Sequence, residues 1–262
     1  KVFKIKEKRT GNIYAAKVSL EVIHDYDKCM DNGISLSREV SNHSRLRNPA
    51  VLKFIGYSPI DFKRRLKPTI VVDHVSQGSL RDILHKKRQS FDPTGFDDTT
   101  KLIIIYGIAS SMSYLHSLDI LHLDLKPNNI LIDDLFHPIL SDFGCSITLS
   151  DLEKDRIENR TRECVGTIQY IPLEVYKEYN YSKKGDVYAF SLIVYELLTN
   201  QEPFFNLNQC RIIQRLVDKK RPIIPDNIEP NYRNLIEMCW SEDPCDRPSF
   251  ETICKKLESE EF

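Results

Sequence analysis

The sequence lacks an excess of charge of either sign, and it lacks any long hydrophobic run. Lysine and arginine number 37 together, aspartate and glutamate 38, and the formal net charge is −1. A chain so balanced has no overall field that would attract nucleic acid or an anionic membrane surface. No apolar segment approaches the length of a membrane span, and we expect no signal peptide. Nucleic-acid partners and a membrane span are therefore not expected.

The sequence also lacks a C-x-x-C pair. Its seven cysteines are scattered singly, at positions 29, 145, 164, 210, 239, 245 and 254. An odd number of scattered cysteines in a long chain is typical of reduced thiols rather than of a disulfide framework. The pattern predicts a cytoplasmic protein. Because the first residue is Lys1 and not methionine, we expect the chain to be a piece of a longer protein.

What the sequence has is the composition of an ordinary globular protein, with 41% hydrophobic and 29% charged residues. Its 262 residues allow one large domain or two lobes around a cleft. Residues 1–75 carry strand signals: KVFKIKEKRTGNIYAAKVSL alternates and turns at TGN, and VLKFIGY and PTIVVDHV predict two more strands. Between the hairpin and these two strands, apolar spacing predicts a helix over 35–46, which Pro49 ends.

After Gly78 the apolar spacing becomes helical. Residues 98–117 place apolar side chains on one helical face. Residues 186–199 are apolar nearly all round, which predicts a buried helix. Strands that are followed by helices, rather than alternating with them, favour an α+β class arranged in two lobes.

The segment HLDLKPNNILI, residues 122–132, places polar residues on a short loop between apolar ends. The spacing of Asp124, Lys126 and Asn129 suits phosphoryl transfer. A carboxylate can accept a hydroxyl proton, an ammonium can face a phosphate, and an amide oxygen can bind a hard cation. The alternative is a polar turn that merely connects two strands.

Further polar residues argue against that alternative. Asp142 follows the apolar segment HPIL and would give Mg²⁺ a second protein oxygen beside Asn129. Lys17 lies on a predicted strand, and Glu39, on the predicted helix, is a candidate partner for an ion pair with it. A solvated surface pair is the alternative interpretation of Lys17 and Glu39.

Taken together, these segments resemble the protein kinase family over essentially the whole chain. YAAK is similar to the family's V-A-I-K, HLDLKPNN is similar to H-R-D-L-x-x-x-N, and DFG is intact at 142–144. GTIQYIPLE resembles the segment that ends in A-P-E, and GDVYAF resembles the start of a buried helix with an aspartate, here Asp186. CWSEDPCDRPSF resembles the late segment whose arginine, here Arg247, pairs with the glutamate matched by Glu174.

The resemblance implies an α+β, bilobal protein kinase fold with a small β-rich N-lobe and a large helical C-lobe. It implies one protein kinase domain over 1–262, with the N-lobe and hinge in 1–75 and the C-lobe in 76–262. The family's Gly-rich loop and first strand are missing from the sequence, and the match at VF places them immediately upstream of Lys1. We therefore expect an N-terminally truncated domain that is a weak enzyme by itself.

The resemblance implies catalytic roles position by position. Asp124 is expected to be the catalytic base, and Lys126 is expected to neutralise the γ-phosphate of ATP. Asn129 and Asp142 are expected to hold Mg²⁺. ATP and Mg²⁺ are therefore the implied cofactors.

The resemblance also implies which residues bind the nucleotide. Lys17 would contact the α- and β-phosphates and pair with Glu39. Other residues would sandwich the adenine ring or form the hinge along its edge, with Val72 behind them. These are Val2, Ala15 and Leu131 for the ring, and Asp73, His74 and Val75 for the hinge. We expect Val2 and Leu131 to be buried with or without a nucleotide, which makes their assignment weaker.

The implied substrate class rests on two sets of residues. D-L-K-P-x-N, with Lys126, and Thr167 in GT accompany serine/threonine specificity in the family, whereas GSL, DVYAF and CWSEDPCDRPSF resemble tyrosine kinases. The mixture resembles the tyrosine-kinase-like group, which mostly phosphorylates serine and threonine on protein substrates. A pseudokinase or scaffold binding module and a dual-specificity or tyrosine kinase are the alternatives, although no catalytic position in the sequence is lost.

Leu123 departs from the family pattern, in which most members have arginine beside the catalytic aspartate. That arginine responds to a phosphorylated residue on the activation loop through charge-assisted hydrogen bonds. Because leucine carries no charge, we expect activity that does not require phosphorylation of the loop after DFG. Flanking domains or a partner acting on the helix of Glu39 would then provide control. Regulation through another basic residue, Arg160 or Arg162, is the alternative.

Overall fold

The computed structural model describes residues 1–19, 26–89, 97–157 and 165–259, with the backbone alone over 26–35. A four-stranded antiparallel sheet and one helix come first along the chain, and a largely helical part follows. This order confirms the predicted α+β class. The division of the chain at residue 75 stays a prediction.

The sheet comprises β1 (Val2–Lys6), β2 (Ile13–Val18), β3 (Phe54–Ser58) and β4 (Thr69–Asp73), in the order β1-β2-β4-β3. β1 and β2 form the predicted hairpin. Gly11, in its turn, has a φ of 80°, a left-handed conformation that favours glycine. Because side chains alternate across a strand, Ala15 and Lys17 lie on one face of β2, and Val72 lies opposite Ala15 on β4.

Helix α1 spans Tyr26–Arg45 and begins well before the predicted start at residue 35. The prediction used apolar spacing, which first appears at Leu36, whereas the backbone is already helical upstream. The helix ends before Pro49, as predicted. Leu36 and Val40 pack against the buried cluster around Leu52, so α1 lies against the sheet.

Eight more helices follow in the part of the chain that the structure describes. They are α2 (Leu80–Gln89), α3 (Asp98–Ser117), α4 (Leu149–Ile157), α5 (Leu173–Glu178), α6 (Lys183–Thr199), α7 (Gln209–Val217), α8 (Pro230–Cys239) and α9 (Phe250–Leu257). Helix α3 matches the predicted segment, and Asp97 caps its start by accepting from the Thr100 N–H at 2.7 Å. Helix α6 is buried from Asp186 to Leu197, as its composition predicts. None of the described helices meets the length and apolarity that crossing a bilayer requires.

Two short antiparallel pairs position the loops of interest. They are β5 (Ile120–Leu121) with β8 (Ile147–Thr148), and β6 (Ile130–Ile132) with β7 (Pro138–Leu140). Ile130 at the start of β6 lies opposite Leu140 at the end of β7. The loop before β6 and the loop after β7 therefore meet at the same end of the pair. There the Ser141 N–H donates to the Asn129 carbonyl at 2.8 Å.

Glu174 and Arg247 form a buried bidentate ion pair, which confirms the predicted pairing. Arg247 Nη1 lies 2.6 Å from Glu174 Oε1, and Nη2 lies 3.2 Å from Oε2. The Arg247 side chain is only 1% exposed, and it also donates to the carbonyls of Ser241 and Lys184. Since burial removes water from the guanidinium, these acceptors replace its hydration. The pair ties α5 to the segment that precedes α9.

Replacing Arg247 with alanine should lower the free energy of unfolding by about 3–5 kcal/mol, because Glu174 would lose its partner in a buried place. The matched control is Lys255→Ala, since the Lys255–Glu251 pair on α9 is exposed and such pairs contribute little. Urea unfolding followed by circular dichroism measures both variants. Equal unfolding midpoints would contradict a stabilising role for the buried pair.

Candidate active site

A cleft lies between the sheet with α1 and the loops of the helical part. All the predicted nucleotide-binding and metal-binding residues line it. They are Val2, Ala15, Lys17, Glu39, Val72, Asp73, His74, Val75, Asn129, Leu131 and Asp142. Asp124 and Thr167 line a second cavity beside it, and Asn129 connects the two because its amide donates to the Asp124 carboxylate.

The apolar walls of the cleft come from both sides. Ala15 and Val72, on β2 and β4, pack in one cluster with Leu131 of β6. Such walls can hold a flat ring between them. Val2 is 68% exposed, so the expectation that it is buried is wrong. It lies opposite Lys17 on β1, which is the edge of the described sheet and leaves one side uncovered.

Lys17 joins carboxylates from two different elements. Its Nζ lies 2.8 Å from Glu39 Oε1 on α1, as predicted, and 2.6 Å from Asp142 Oδ1 on the loop after β7. Burial by itself would lower the pKa of Lys17, but the Asp142 and Glu39 charges outweigh it and raise the pKa. Burial would likewise raise the pKa of Asp142, yet the Lys17 charge holds that pKa below its usual value. Lys17 and Asp142 are therefore both charged at neutral pH.

Asp124 accepts hydrogen bonds from three side chains. Thr167 Oγ1 donates to Oδ1 at 2.9 Å, Lys126 Nζ donates to Oδ2 at 2.7 Å, and Asn129 Nδ2 donates to Oδ2 at 3.0 Å. Lys126 also donates to Thr167 Oγ1 at 2.6 Å. The four residues thus form one connected group around a carboxylate that can accept a proton.

The residues that would hold a metal ion fit a hard cation. Asn129 uses its amide nitrogen on Asp124, at 2.7 Å from the carbonyl and 3.0 Å from the carboxylate, which leaves the amide oxygen as its ligand atom. Asp142 offers Oδ2, since Lys17 contacts Oδ1. Oxygen ligands of this kind suit Mg²⁺ when phosphate and water complete the shell. Among the described residues, no group of three or more His, Cys, Asp or Glu forms a metal site.

The buried carboxylate of Asp186 fixes the loop that carries Asp124. It accepts from the N–H groups of His122 and Leu123, each at 3.0 Å, and from His116 Nε2 at 2.8 Å. Burial would raise the pKa of Asp186, but the His116 hydrogen bond and nearby charges lower it. Leu123 is held at a φ of 64°, which is unfavourable for a residue with a side chain. The sequence singled out Asp186 but not this contact with the loop.

Phe143 packs between two buried histidines. Its ring centroid lies 4.7 Å from that of His43 and 5.6 Å from that of His122. His43 Nε2 is hydrogen-bonded to the Leu52 carbonyl at 2.6 Å, and burial lowers the pKa of His43. His43 is therefore a satisfied core histidine. These ring contacts fix the position of Phe143, which directly follows Asp142.

Gly166 allows the chain to pass close to the loop of Asp124. Its φ is 108°, and a Cβ atom there would lie 2.6 Å from the Leu123 carbonyl oxygen. Only glycine fits such a position. The close approach brings Thr167, the next residue, onto the Asp124 carboxylate.

A second buried carboxylate, Glu196 of α6, supports the segment after Thr167. It is fully buried, and it accepts from Arg88 at 2.6 Å and from the Tyr170 hydroxyl at 2.8 Å, with Arg81 at 3.5 Å. Burial and the Glu196 charge hold the pKa of Tyr170 well above its usual value. Sequence reasoning missed this network, although a glutamate inside an apolar helix is a signal that partners must exist.

The loop after DFG contains a helix and offers fewer accessible hydroxyl groups than its sequence indicates. Ser146 is buried and donates to the Phe143 carbonyl at 2.7 Å. Thr148 accepts from the Asp151 N–H at the start of α4, and Ser150 is exposed. Arg160 and Arg162, which were considered above, lie outside the described residues, as does Thr161, a further hydroxyl residue of this loop.

Comparison with known proteins agrees with the fold. The family model for protein tyrosine and serine/threonine kinases matches residues 1–257. A probable serine/threonine-protein kinase of Dictyostelium discoideum is 33% identical over 252 residues, which cover 94% of this chain and 18% of that protein. In Arabidopsis thaliana, the serine/threonine-protein kinase CTR1 is 32% identical over 93% of this chain and 29% of its own length. The serine/threonine/tyrosine-protein kinase HT1 is 34% identical over 84% of this chain and 53% of its own length.

A small sheet lobe, a helical lobe and a cleft with paired acidic and basic residues define a protein kinase domain, and the chain belongs to the protein kinase family. The predicted resemblance to the tyrosine-kinase-like group is confirmed. Membership implies ATP, a divalent metal ion and protein substrates. The chain spans between 18% and 53% of the length of the three relatives named above.

Replacing Lys17 with methionine should raise the pKa of the Asp142 carboxyl, because the Lys17 charge and hydrogen bond lower it. The stabilisation that Asp142 gains from Lys17 is present above its unfolded pKa and is lost as the pH falls through the lower folded pKa. Carboxyl carbon chemical shifts measured by NMR against pH report the change. The matched control is Lys53→Met, at the exposed position directly before β3. An unchanged Asp142 pKa in Lys17→Met would contradict the contact.

Proposed function

We propose that this chain transfers the γ-phosphoryl group of ATP to serine and threonine hydroxyls of protein substrates. The observation that carries the proposal is the connected group of Asp124, Lys126, Thr167 and Asn129, which lies next to the Lys17–Asp142 pair. Residues 1–75 would form the N-lobe and hinge, and residues 76–262 would form the C-lobe. The substrate hydroxyl would enter from the second cavity, where Asp124 lies.

Each residue has a role that its contacts support. Asp124 orients the substrate hydroxyl and accepts its proton, and the three side chains that donate to its carboxylate fix its orientation. Lys126 lies beside it and balances negative charge on the transferring phosphate. Asn129 and Asp142 hold Mg²⁺, which neutralises phosphate charge when bound. Lys17, fixed by Glu39, binds the remaining phosphates.

Nucleotide binding uses the apolar part of the cleft. Ala15 and Leu131 would contact the adenine ring from its two sides, with Val2 at the open edge and Val72 at the rear, since all four line the cleft. Hinge groups would hydrogen-bond the ring edge. These hinge groups belong to Asp73, His74 and Val75, which follow β4 and line the cleft.

Serine/threonine specificity is supported by Lys126 and Thr167, which contact each other and Asp124. Dual specificity is the second candidate, because HT1 is named a serine/threonine/tyrosine-protein kinase and shkB of Dictyostelium discoideum is named a dual specificity protein kinase. A pseudokinase or scaffold is less well supported, since Lys17, Asp124 and Asp142 are all present and in contact with their partners.

The cellular setting is also a proposal. The scattered cysteines, of which the five described ones are free thiols, support a cytoplasmic location. The greater length of the relatives supports flanking regulatory domains, or a partner, that act on the domain. The near-zero net charge of −1 offers no general attraction for nucleic acid.

Asp124→Asn should abolish phosphoryl transfer in the full-length protein and leave Mg·ATP binding intact, because Asp124 faces the hydroxyl rather than the nucleotide. Asp142→Asn should weaken Mg·ATP binding as well, because it removes a metal ligand. Transfer is measured with radiolabelled ATP, and binding by calorimetry. Near-normal turnover of Asp124→Asn would refute the role of the loop.

Phosphoamino-acid analysis of the products tests the substrate class. We expect phosphoserine and phosphothreonine from a mixed peptide library, with no phosphotyrosine. Asp124→Asn serves as the control for contaminating kinases. Phosphotyrosine at a comparable rate would favour dual specificity, and Mg·ATP binding without any transfer would favour a pseudokinase.

A further inference from the structure

Helix α1 is held by the segment after Asp142 through an ion pair that the activity described above does not use. Arg38 Nη1 lies 3.0 Å from Asp155 Oδ2, and Nη2 lies 2.7 Å from Oδ1. The two parallel bonds match the planar guanidinium to the carboxylate. The Asp155 side chain is 5% exposed and that of Arg38 26%, so solvent screens the pair only in part.

A second contact lies one helical turn further along α1. Asn42 Nδ2 donates to the Ser146 carbonyl at 3.3 Å, and both residues are buried. Residues four positions apart share one face of a helix, so Arg38 and Asn42 present a single face to the segment after DFG. Glu39 directly follows Arg38 along the helix, and its carboxylate forms the ion pair with Lys17. Movement of this face away from the segment would displace Glu39 as well.

Helix α4, which carries Asp155, is fixed to the helical part of the protein. Leu152 is buried in a cluster that contains Leu121 and Val175. Thr148 caps the start of the helix, and the Leu149 N–H donates to the Asp119 carbonyl at 2.9 Å. Because α4 is anchored in this way, a bond from Arg38 to Asp155 transmits its position to α1.

We propose that Arg38 and Asp155 are a positioning pair for phosphoryl transfer, in which a carboxylate on α4 holds α1 where Glu39 meets Lys17. This inference rests on the proposed function. A phosphate on this segment would recruit an arginine through the same charge-assisted bonds. Asp155 already makes those bonds with Arg38, so the site is assembled without a phosphate there. The absence of arginine at position 123 agrees with this arrangement.

The test compares Asp155→Asn with Glu153→Gln in the full-length protein. Both remove one negative charge from α4, but Glu153 is exposed and pairs with Arg156 on the same helix. Asp155→Asn should lower kcat/KM for Mg·ATP by about tenfold, a usual size for coupling between sites. It should also speed hydrogen exchange of backbone amides over 36–45. Glu153→Gln should change neither.

A charge swap tests whether the pairing itself carries the effect. Arg38→Asp alone should lose both activity and exchange protection, and adding Asp155→Arg should restore a large part of each. A loss that came from either side chain by itself, and not from the pairing, would not be restored by the swap. Failure of the double variant to recover, while its fold is intact by circular dichroism, would overturn the proposal.

Hydrogen exchange keeps this test independent of the proposed function. If the parent protein binds Mg·ATP without transferring phosphate, the proposed function fails, and exchange over 36–45 still tests the pair. Equal exchange rates in Asp155→Asn and Glu153→Gln would overturn the proposed role of the Arg38–Asp155 pair.

Phosphatase treatment, with bare hydroxyls confirmed by mass spectrometry, should leave the turnover of the parent unchanged. A collapse in rate that rephosphorylation restores would overturn the claim that the carboxylate is sufficient.

Discussion

The carboxylate of Asp186, buried within the apolar helix α6, is the constraint on which the site depends. A charged group in such surroundings is tolerated only when hydrogen bonds replace its lost hydration. The backbone N–H groups of His122 and Leu123 supply two of them, so the loop must pass beside α6. Leu123 takes a left-handed conformation there. Asp124 is the next residue, and its position follows from a charge that lies in another element.

Local pattern was sufficient to predict part of this arrangement. Asp124 and Asn129 share one short loop, so their proximity, 3.0 Å between side chains, needs little from the rest of the fold. Lys17 lies on the same face of β2 as Ala15 because strand side chains alternate. The pairing of Glu174 with Arg247 came from family resemblance, and the resemblance also supported the candidate pair of Lys17 and Glu39, since no local period links segments so far apart.

The contacts that were not predicted join distant segments whose residues look ordinary in isolation. Arg38 and Asp155 are 117 positions apart, and Arg88 and Glu196 are 108 apart. Helix α4 was not predicted because the family resemblance assigns this segment to the loop after DFG. Its buried apolar anchor is Leu152. The early start of α1 was missed because the apolar spacing used for the prediction first appears at Leu36.

The two sides of the cleft are joined near the site by contacts of two kinds, and the difference matters for how the site is assembled. The contact of the His43 ring with the Phe143 ring is a packing contact, which is less directional than an ion pair. The bidentate Arg38–Asp155 pair is directional, so it fixes the orientation of α1 rather than merely its proximity. The Lys17–Asp142 pair joins β2 to the loop after β7. In both pairs the partner of the cation is an aspartate side chain of this chain. The alignment of Glu39, Lys17 and Asp142 therefore depends on charge balance across the cleft, and apolar burial alone would not provide it.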